Sequence, residues 1–401
     1  MSTKRLTLLA ILVALVALGQ LTFNIYLPSI PKIAQAFQVS NVQIQYTITL
    51  YLIAFAIGQL FTGMLSDRFG RKPVLLAGLC LYAASSLLCA FAGSLITLIA
   101  GRILQAIGGC TGFVIARAVV RDMTDQNSAA SMLGYITMAM VVAPTIAPTV
   151  GGYLTDNFGW QTIFIFLTVF CLATLLAVTL KLPETNKTRT KSLHIKEQMG
   201  NYGQLLRSTP FLGYALTASF ASSTFFAFAS GSPHIMINML GLSAAEYGAY
   251  FAFGPAGFMV GNFISGRLSV KYGTDRLIDI GNLIAIAGAL LMLSFVMAGI
   301  FTPLSLSAPF FFVTLSNGLA VTNSIAGAIS INPKLAGTAA GLAGFMQMST
   351  AAIVVTLTSS LQGNSRFTMI FMVLACGVMA LLYSKLTSRA RAEAHKSAAP
   401  I

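Results

Sequence analysis

Apolar stretches of about 20 residues recur along the chain, each bounded by a short cluster of charged, glycine or proline residues. A helix of that length rises about 30 Å, the thickness of the hydrocarbon core of a bilayer. Read between the polar clusters, the pattern predicts twelve helices, near 6–29, 41–64, 73–92, 95–119, 129–154, 161–181, 211–237, 244–268, 276–300, 305–330, 334–362 and 366–386. The first run follows Lys4 and Arg5 as a secretory leader would. It is long, lacks a clear small-residue cleavage site and leads into further spans, so it is expected to be retained.

The only long polar break, residues 182–208, separates six helices from six. The expected organisation is an N-terminal six-helix bundle over 1–181, a cytoplasmic linker over 182–208, a C-terminal six-helix bundle over 209–386 and a tail over 387–401. The basic linker fits either a segment resting on an anionic leaflet or a solvated connection. GQLFTGMLSDRFG at 58–70 aligns without gaps with GNFISGRLSVKYG at 261–273, each closing the second helix of its half. The halves therefore read as pseudo-symmetric parallel repeats about an axis along the membrane normal, which places a substrate cavity near the midplane.

Composition narrows the class to an all-α membrane protein. The chain is 56% hydrophobic and 8% charged with a mean hydropathy of +0.81, whereas a soluble domain carries about 25% charge. The formal charge of +14 follows topology: nearly all Lys and Arg fall on one side of the predicted spans, with only Lys32 and Arg366 opposite. Both termini and the linker are thereby expected in the cytoplasm. Nucleic acid is not expected as a partner, because no aqueous domain gathers the basic residues on one surface. The five cysteines lie in predicted helices without paired spacing, so neither disulfides nor a metal site is expected. The three histidines are scattered and no nucleophile–base pair is evident, so neither an enzyme nor a cofactor is implied.

Three segments carry recognisable patterns. Residues 63–72, with Gly63, Asp67, Arg68, Gly70 and Arg71, resemble the loop motif GxxxDRxGRR of the major facilitator superfamily. Gly63 is expected to allow close helix approach, and Asp67 to sit at the positive end of the eleventh helix. Arg71 is expected to pair with Asp122, forming a gate latch. The second copy has Val270 in place of Asp67, so only the first half should carry the full latch. Residues 102–109 resemble the fourth-helix motif RxxQGxG, with Ala106 where glycine is usual; Arg102 shares a face with Gln105. An intramembrane arginine needs a water-filled cavity or the bundle interior. Residues 143–152 resemble the fifth-helix antiporter motif. Their Pro144, Pro148, Gly151 and Gly152 are expected to bend the helix and pack it on the eighth, with its Gly254-Pro255-Ala256-Gly257.

Over nearly its whole length the chain resembles the twelve-helix drug:proton antiporters of the Bcr/CflA branch, also through QLTFNIYLPSIP at 20–31, IARAVVRD at 115–122 and LAGTAAG at 335–341. The resemblance implies a major facilitator fold in a bacterial inner membrane and multidrug export by alternating access. Most members of the branch carry an aspartate in the first helix where this chain has Asn24, and all ten acidic residues here fall in loops or at predicted helix ends. With no midplane carboxylate to carry a proton, the coupling candidates are Arg102, Gln105, Asp122, His234 and Asp279.

The family architecture implies a cavity lined by Gln20, Asn24, Arg117, Tyr135, Met138, Phe225, Phe226, Phe228, Phe251, Phe253, Asn317, Met346 and Gln347. Met and aromatic groups repack around varied ligands, although each aromatic could equally face lipid or a neighbouring helix. Without a cavity acid, and with Arg102 and Arg117 available, neutral or lipophilic substrates are favoured over obligate cations. The expected partners are a small-molecule substrate, protons and the lipid bilayer, with the chain acting as a monomer. The alternative is export of one endogenous metabolite, with incidental drug transport.

Overall fold

The structure is a computed structural model that describes residues 3–123, 142, 144–186, 195–332, 335–363 and 365–391. Its helices are α1 (Thr3–Asn24), α2 (Ile30–Ala36), α3 (Asn41–Phe69), α4 (Arg71–Ala90), α5 (Leu95–Met123), α6 (144–158), α7 (Gln161–Lys181), α8 (Ile195–Leu206), α9 (Thr209–Pro233), α10 (Ala244–Phe251), α11 (Phe253–Tyr272), α12 (Thr274–Met297), α13 (Pro303–Ser330), α14 (Ala336–Gln362) and α15 (Thr368–Leu386). Among the described residues, ten helical segments are long and apolar enough to cross a membrane. The expected 129–154 span is described only in its second half, as α6.

Two expected helices are interrupted, each four residues before a proline. Pro28 has no N–H and its ring crowds the carbonyl of Asn24; α1 ends there, and the chain passes through a 3-10 turn at Leu27–Ser29 into α2. Pro255 stands in the same relation to Phe251, where α10 stops before α11 begins at Phe253. The expected 6–29 and 244–268 helices were thus each one element too few. Past Pro233, the seventh span ends in a π-helical turn, His234–Met239.

The chain forms two compact units, one of residues 1–193 with 242–249, the other of 194–241 with 250–401. In the first, α5 packs on α3 and α4, α4 on α7, and α1 on α5 and α7. In the second, α13 packs on α11, α12 and α9, while α9 also meets α14 and α15. Part of the expected linker is the helix α8, packed on α14 and α9, where Gln198 donates to the Thr338 hydroxyl at 3.3 Å. The C-terminal bundle continues past the expected boundary at 386. Arg391 is 1% exposed, pairs with Asp275 at 2.9 Å and donates to the Ser384 carbonyl at 2.7 Å. It lies over the Tyr214 ring, whose hydroxyl donates to Asp275 at 2.9 Å.

The repeated segment keeps its backbone in both copies. A Cβ at Gly58 would lie 2.5 Å from Cys110 Sγ, and one at the aligned Gly261 would strike the Leu315 carbonyl. Gly70 and Gly273 both join helices at positive φ, +101° and +80°. Among the described residues, a Cβ at Gly63 or at the aligned Gly266 would meet nothing within 4 Å, so the close approach expected at Gly63 is made five residues earlier, at Gly58. Gly70→Ala and Gly273→Ala should each cost about 1–3 kcal/mol, since their backbone region is nearly glycine-only. Gly63→Ala should be neutral or up to about 1 kcal/mol stabilising through helix propensity. Thermal unfolding in detergent checks both.

Candidate functional site

At the junction of α3 and α4, Arg71 gathers three side chains. Its Nε donates to Asp122 at 3.0 Å, and its Nη1 reaches Ser66 Oγ at 2.6 Å and Asp67 at 2.5 Å. The guanidinium is nearly enclosed, whereas Asp67 is half exposed. Arg68 lies over Phe69, with its guanidinium carbon 5.0 Å from the ring centre. The first residues of the linker complete the cluster. The Glu184 carboxylate accepts the backbone N–H groups of Arg71 at 2.9 Å, Lys72 at 3.2 Å and Asn186 at 2.9 Å. The Arg71 and Lys72 donors open α4, where no intrahelical partner exists. Asn186 donates to the carbonyls of Ser66 and Asp67 at the end of α3, and Thr185 donates to Asp122 at 3.4 Å. Glu184, Thr185 and Asn186 went unassigned in the sequence; the available signal was an acid directly following Pro183 at a helix end.

Arg102 is fully buried on α5, in the interior of the first bundle rather than in open water. Nη1 donates to Gln105 at 2.6 Å, and Gln105 passes the chain to Ser86 at 2.7 Å. The guanidinium carbon lies 4.6 Å from the Tyr26 ring centre and 4.2 Å from that of Tyr51, two cation–π contacts in a desolvated setting. Its Nε and Nη2 have no hydrogen-bond partner among the described residues. Arg117, by contrast, is exposed, its guanidinium 4.3 Å from the Phe113 ring centre.

Pro144 and Pro148 are buried on α6. The glycines of this motif meet backbone, but not the backbone expected. A Cβ at Gly151 would strike the Ile25 carbonyl, just past the end of α1, and one at Gly152 would strike that of Ala244. Gly248 answers from α10, where a Cβ would fall 2.5 Å from Thr149 N. The eighth span is thus the partner through Ala244 and Gly248. Gly254 and Gly257 instead face Phe310, Phe311 and Thr314 of α13.

The expected lining residues divide by burial. Phe228 and Phe251 are fully buried, with the Phe228 ring stacked on Phe310 at 3.6 Å, so they are packing residues and present no surface to a ligand here. Phe225 and Phe226 are half-buried beside them, and Phe253 is 37% exposed. Asn317 is buried against Thr224 at 3.3 Å. Asn24 is also buried; its amide donates to the Gln20 carbonyl at 2.8 Å and its Oδ1 has no partner among the described residues. Gln20, Met346 and Gln347 are half-buried. Tyr135 and Met138 lie outside the described residues. Asp279 sits in the second turn of α12 and is engaged by Ser384 at 2.6 Å and by Lys385. His234 is half-buried at the start of the π turn, its Nδ1 3.2 Å from the Asn238 amide.

The sequence profile of the Major Facilitator Superfamily matches residues 11–356. The chain belongs to that superfamily. This transporter is similar over nearly its full length to a bicyclomycin resistance protein homolog of Haemophilus influenzae, 30% identical over 369 residues that cover 91% of this chain and 92% of that one. It is also similar to multidrug resistance protein D of Escherichia coli, 28% identical over 382 residues, 94% and 95% of the two chains. A bacterial homolog of the human lysosomal transporter Spinster, solved in an inward-facing and occupied conformation, superposes with a TM-score of 0.76 over 98% of this chain and 99% of that one. At 15% identity that likeness speaks for the major facilitator fold alone.

Partial burial pushes the Glu184 carboxyl up, but the backbone N–H groups of Asn186, Arg71, Lys72 and Thr185 together hold it below the usual carboxylate range. A depressed folded pKa contributes stability above the unfolded value and loses it as the pH falls through the folded one. Glu184→Gln should therefore lower the melting temperature at neutral pH, and the gap to wild type should close on acidification below about pH 4. Melting curves across pH check this.

Proposed function

We propose that this transporter exports drugs or other lipophilic small molecules from the cytoplasm across a bacterial inner membrane by alternating access, in exchange for protons. The observation that carries this is the near-full-length similarity to two proteins named for drug resistance. The backbone contacts at Gly151 and Gly152, in the segment that resembles the antiporter motif, are in keeping with it. The chain works as a monomer, with both termini and the linker on the cytoplasmic side, where the excess of Lys and Arg belongs.

Neutral and lipophilic cargo fits a protein whose acids avoid the midplane and whose buried Arg102 has two tyrosine faces and a glutamine beside it. Two of the coupling candidates join helices through an ion pair, Asp122 with Arg71 of α4 and Asp279 with Lys385 of α15; Asp122 has the more enclosed partner, Arg71 at 5% exposed against Lys385 at 60%. The latch of Asp67, Arg71 and Asp122 gates the cytoplasmic side. The test is uptake of bicyclomycin, a neutral probe, into inverted vesicles with and without an imposed pH gradient. Gradient-driven accumulation is expected; uptake indifferent to the gradient would remove proton exchange, and none at all would remove the substrate class.

Arg102→Ala should reduce transport by about tenfold or more at matched expression, since it strands Gln105 and leaves a void between two tyrosines, each a cost of a few kcal/mol. Arg117→Ala, at an exposed position, should stay within about threefold of wild type. Initial rates in the same vesicles decide between them, and the reverse order would mean that the two arginines had been assigned the wrong way round.

A further inference from the structure

Spans alternate in direction, so the loops that follow the first, fifth and seventh spans share the membrane face opposite the Asp67–Asp122 latch. Asp156, near the end of α6, draws these three regions together. Its Oδ1 accepts the Lys32 ammonium at 2.8 Å. Lys32 also donates to the Thr155 carbonyl at 3.2 Å, and the Ser29 and Thr155 hydroxyls lie 2.6 Å apart. Its Oδ2 accepts the backbone N–H of Ala245 at 3.0 Å. Ala245 is the second residue of α10, among the donors that a helix leaves without an internal partner. The reciprocal cap of α10 is already made by Ser243 and Glu246, whose side chains accept each other's backbone N–H at 3.2 and 2.9 Å. Asp156 therefore supplies an acceptor from outside to a helix end that is otherwise capped, where a negative charge is also favoured by the helix dipole.

Two features mark the contact as separable. First, Leu242–Ala249 packs with the first unit although the chain from Tyr250 onward belongs to the second. The helix is interrupted at Ala252, just beyond that change of allegiance. Second, two points of the seat are backbone on backbone, where Gly152 meets the Ala244 carbonyl and Gly248 meets Pro148 and Thr149, although Tyr247 of the same segment is fully buried. The polar bonds above it remain open to water, with the Lys32 and Asp156 side chains 44% and 23% exposed. Exposed ion pairs are cheap to break. The Arg391–Asp275 pair differs in having one enclosed partner, with its arginine 1% and its aspartate 40% exposed.

We propose that Asp156, braced by Lys32, is a second latch: it holds Leu242–Ala249 on α6, and each transport cycle releases that segment at the Ala252 interruption. This rests on the export function above. The docked state is the one that accepts cargo, so loosening the latch lowers the population able to load, and the apparent affinity falls with it.

The test uses the full-length protein in detergent and in inverted vesicles. Hydrogen–deuterium exchange of the peptide covering Ala244–Ala249 should be about tenfold faster in Asp156→Ala than in wild type. Asp156→Asn should show a smaller increase, because its amide oxygen still accepts from Ala245. The exchanged pair Lys32→Asp with Asp156→Lys restores the ion pair but not that acceptor, and should fall between Asp156→Ala and wild type. In vesicles, the apparent KM for bicyclomycin should rise several-fold in Asp156→Ala with turnover not lowered, a split that mere loss of folded protein would not produce. Unchanged exchange in Asp156→Ala overturns the latch. Faster exchange with unchanged KM and turnover overturns its part in transport while leaving drug export standing. If wild type moves no bicyclomycin but the exchange difference is present, export of this probe fails and the latch survives. Should Asp156→Ala not accumulate, Lys32→Gln carries the same comparison, since it removes the brace and keeps the carboxylate; exchange and KM equal to wild type there overturn the proposal.

Discussion

In hydrocarbon no hydrophobic force presses one helix on another, so these helices hold together by how closely their backbones can approach. The site inherits its precision from that constraint. On α5, a Cβ at Gly101 would lie 2.5 Å from Cys89 Sγ, and one at Gly108 would lie 2.6 Å from the Gly78 carbonyl and 2.7 Å from Tyr82 N. These two glycines, two turns apart, fix α5 against α4 both before and after Arg102 and Gln105. Ser86 of α4 is thereby held where Gln105 can reach it, and Gln105 is held for Arg102. A bulkier residue at either glycine would separate the two helices and leave a permanently charged group buried without its partner, a far greater loss than the packing alone.

Much of this was legible in the chain, and the failures have physical causes. Apolar length alone gives the spans, and the aligned 58–70 and 261–273 segments revealed the repeat because their glycines serve the same structural purpose at identical steps. Pro28 and Pro255 were visible, but an unbroken apolar run argued for continuous helices, and the clash four residues upstream prevailed. Burial in the aromatic cluster could not be read at all. Periodicity tells which residues share a face, yet lipid and protein interior are equally apolar, so Phe228 and Phe253 look alike in sequence and differ completely in exposure. The Glu184 clamp was hidden for another reason: its partners Arg71 and Lys72 lie more than a hundred residues away, and the acid after Pro183 marks a helix end without naming what it caps.

The two bundles preserve backbone and redistribute charge. Gly70 and Gly273 adopt closely similar conformations, but the first is flanked by Asp67 and Arg71 and the second by Val270 and Thr274. In the second bundle an enclosed arginine still meets an aspartate at the start of the helix that follows the repeat, Asp275 of α12. Its arginine is drawn from beyond α15 instead of from the loop itself. The same electrostatic need, a carboxylate at a helix junction neutralised by a guanidinium, is therefore met locally in one half and from a distant stretch of sequence in the other.

That distant source has a consequence for biogenesis. Asp275 and Tyr214 enter the membrane early in the synthesis of the second bundle, yet the guanidinium that joins them is added only after the final span has been made. Until Arg391 leaves the ribosome, Asp275 at the start of α12 lacks the arginine that it meets in the finished protein, where the guanidinium is enclosed and the carboxylate is 40% exposed. The Arg391 contacts therefore form only after the spans of this half have been made. A nascent chain stalled after the twelfth span would hold every membrane-crossing segment of this half and still lack the guanidinium that meets Asp275 and Tyr214.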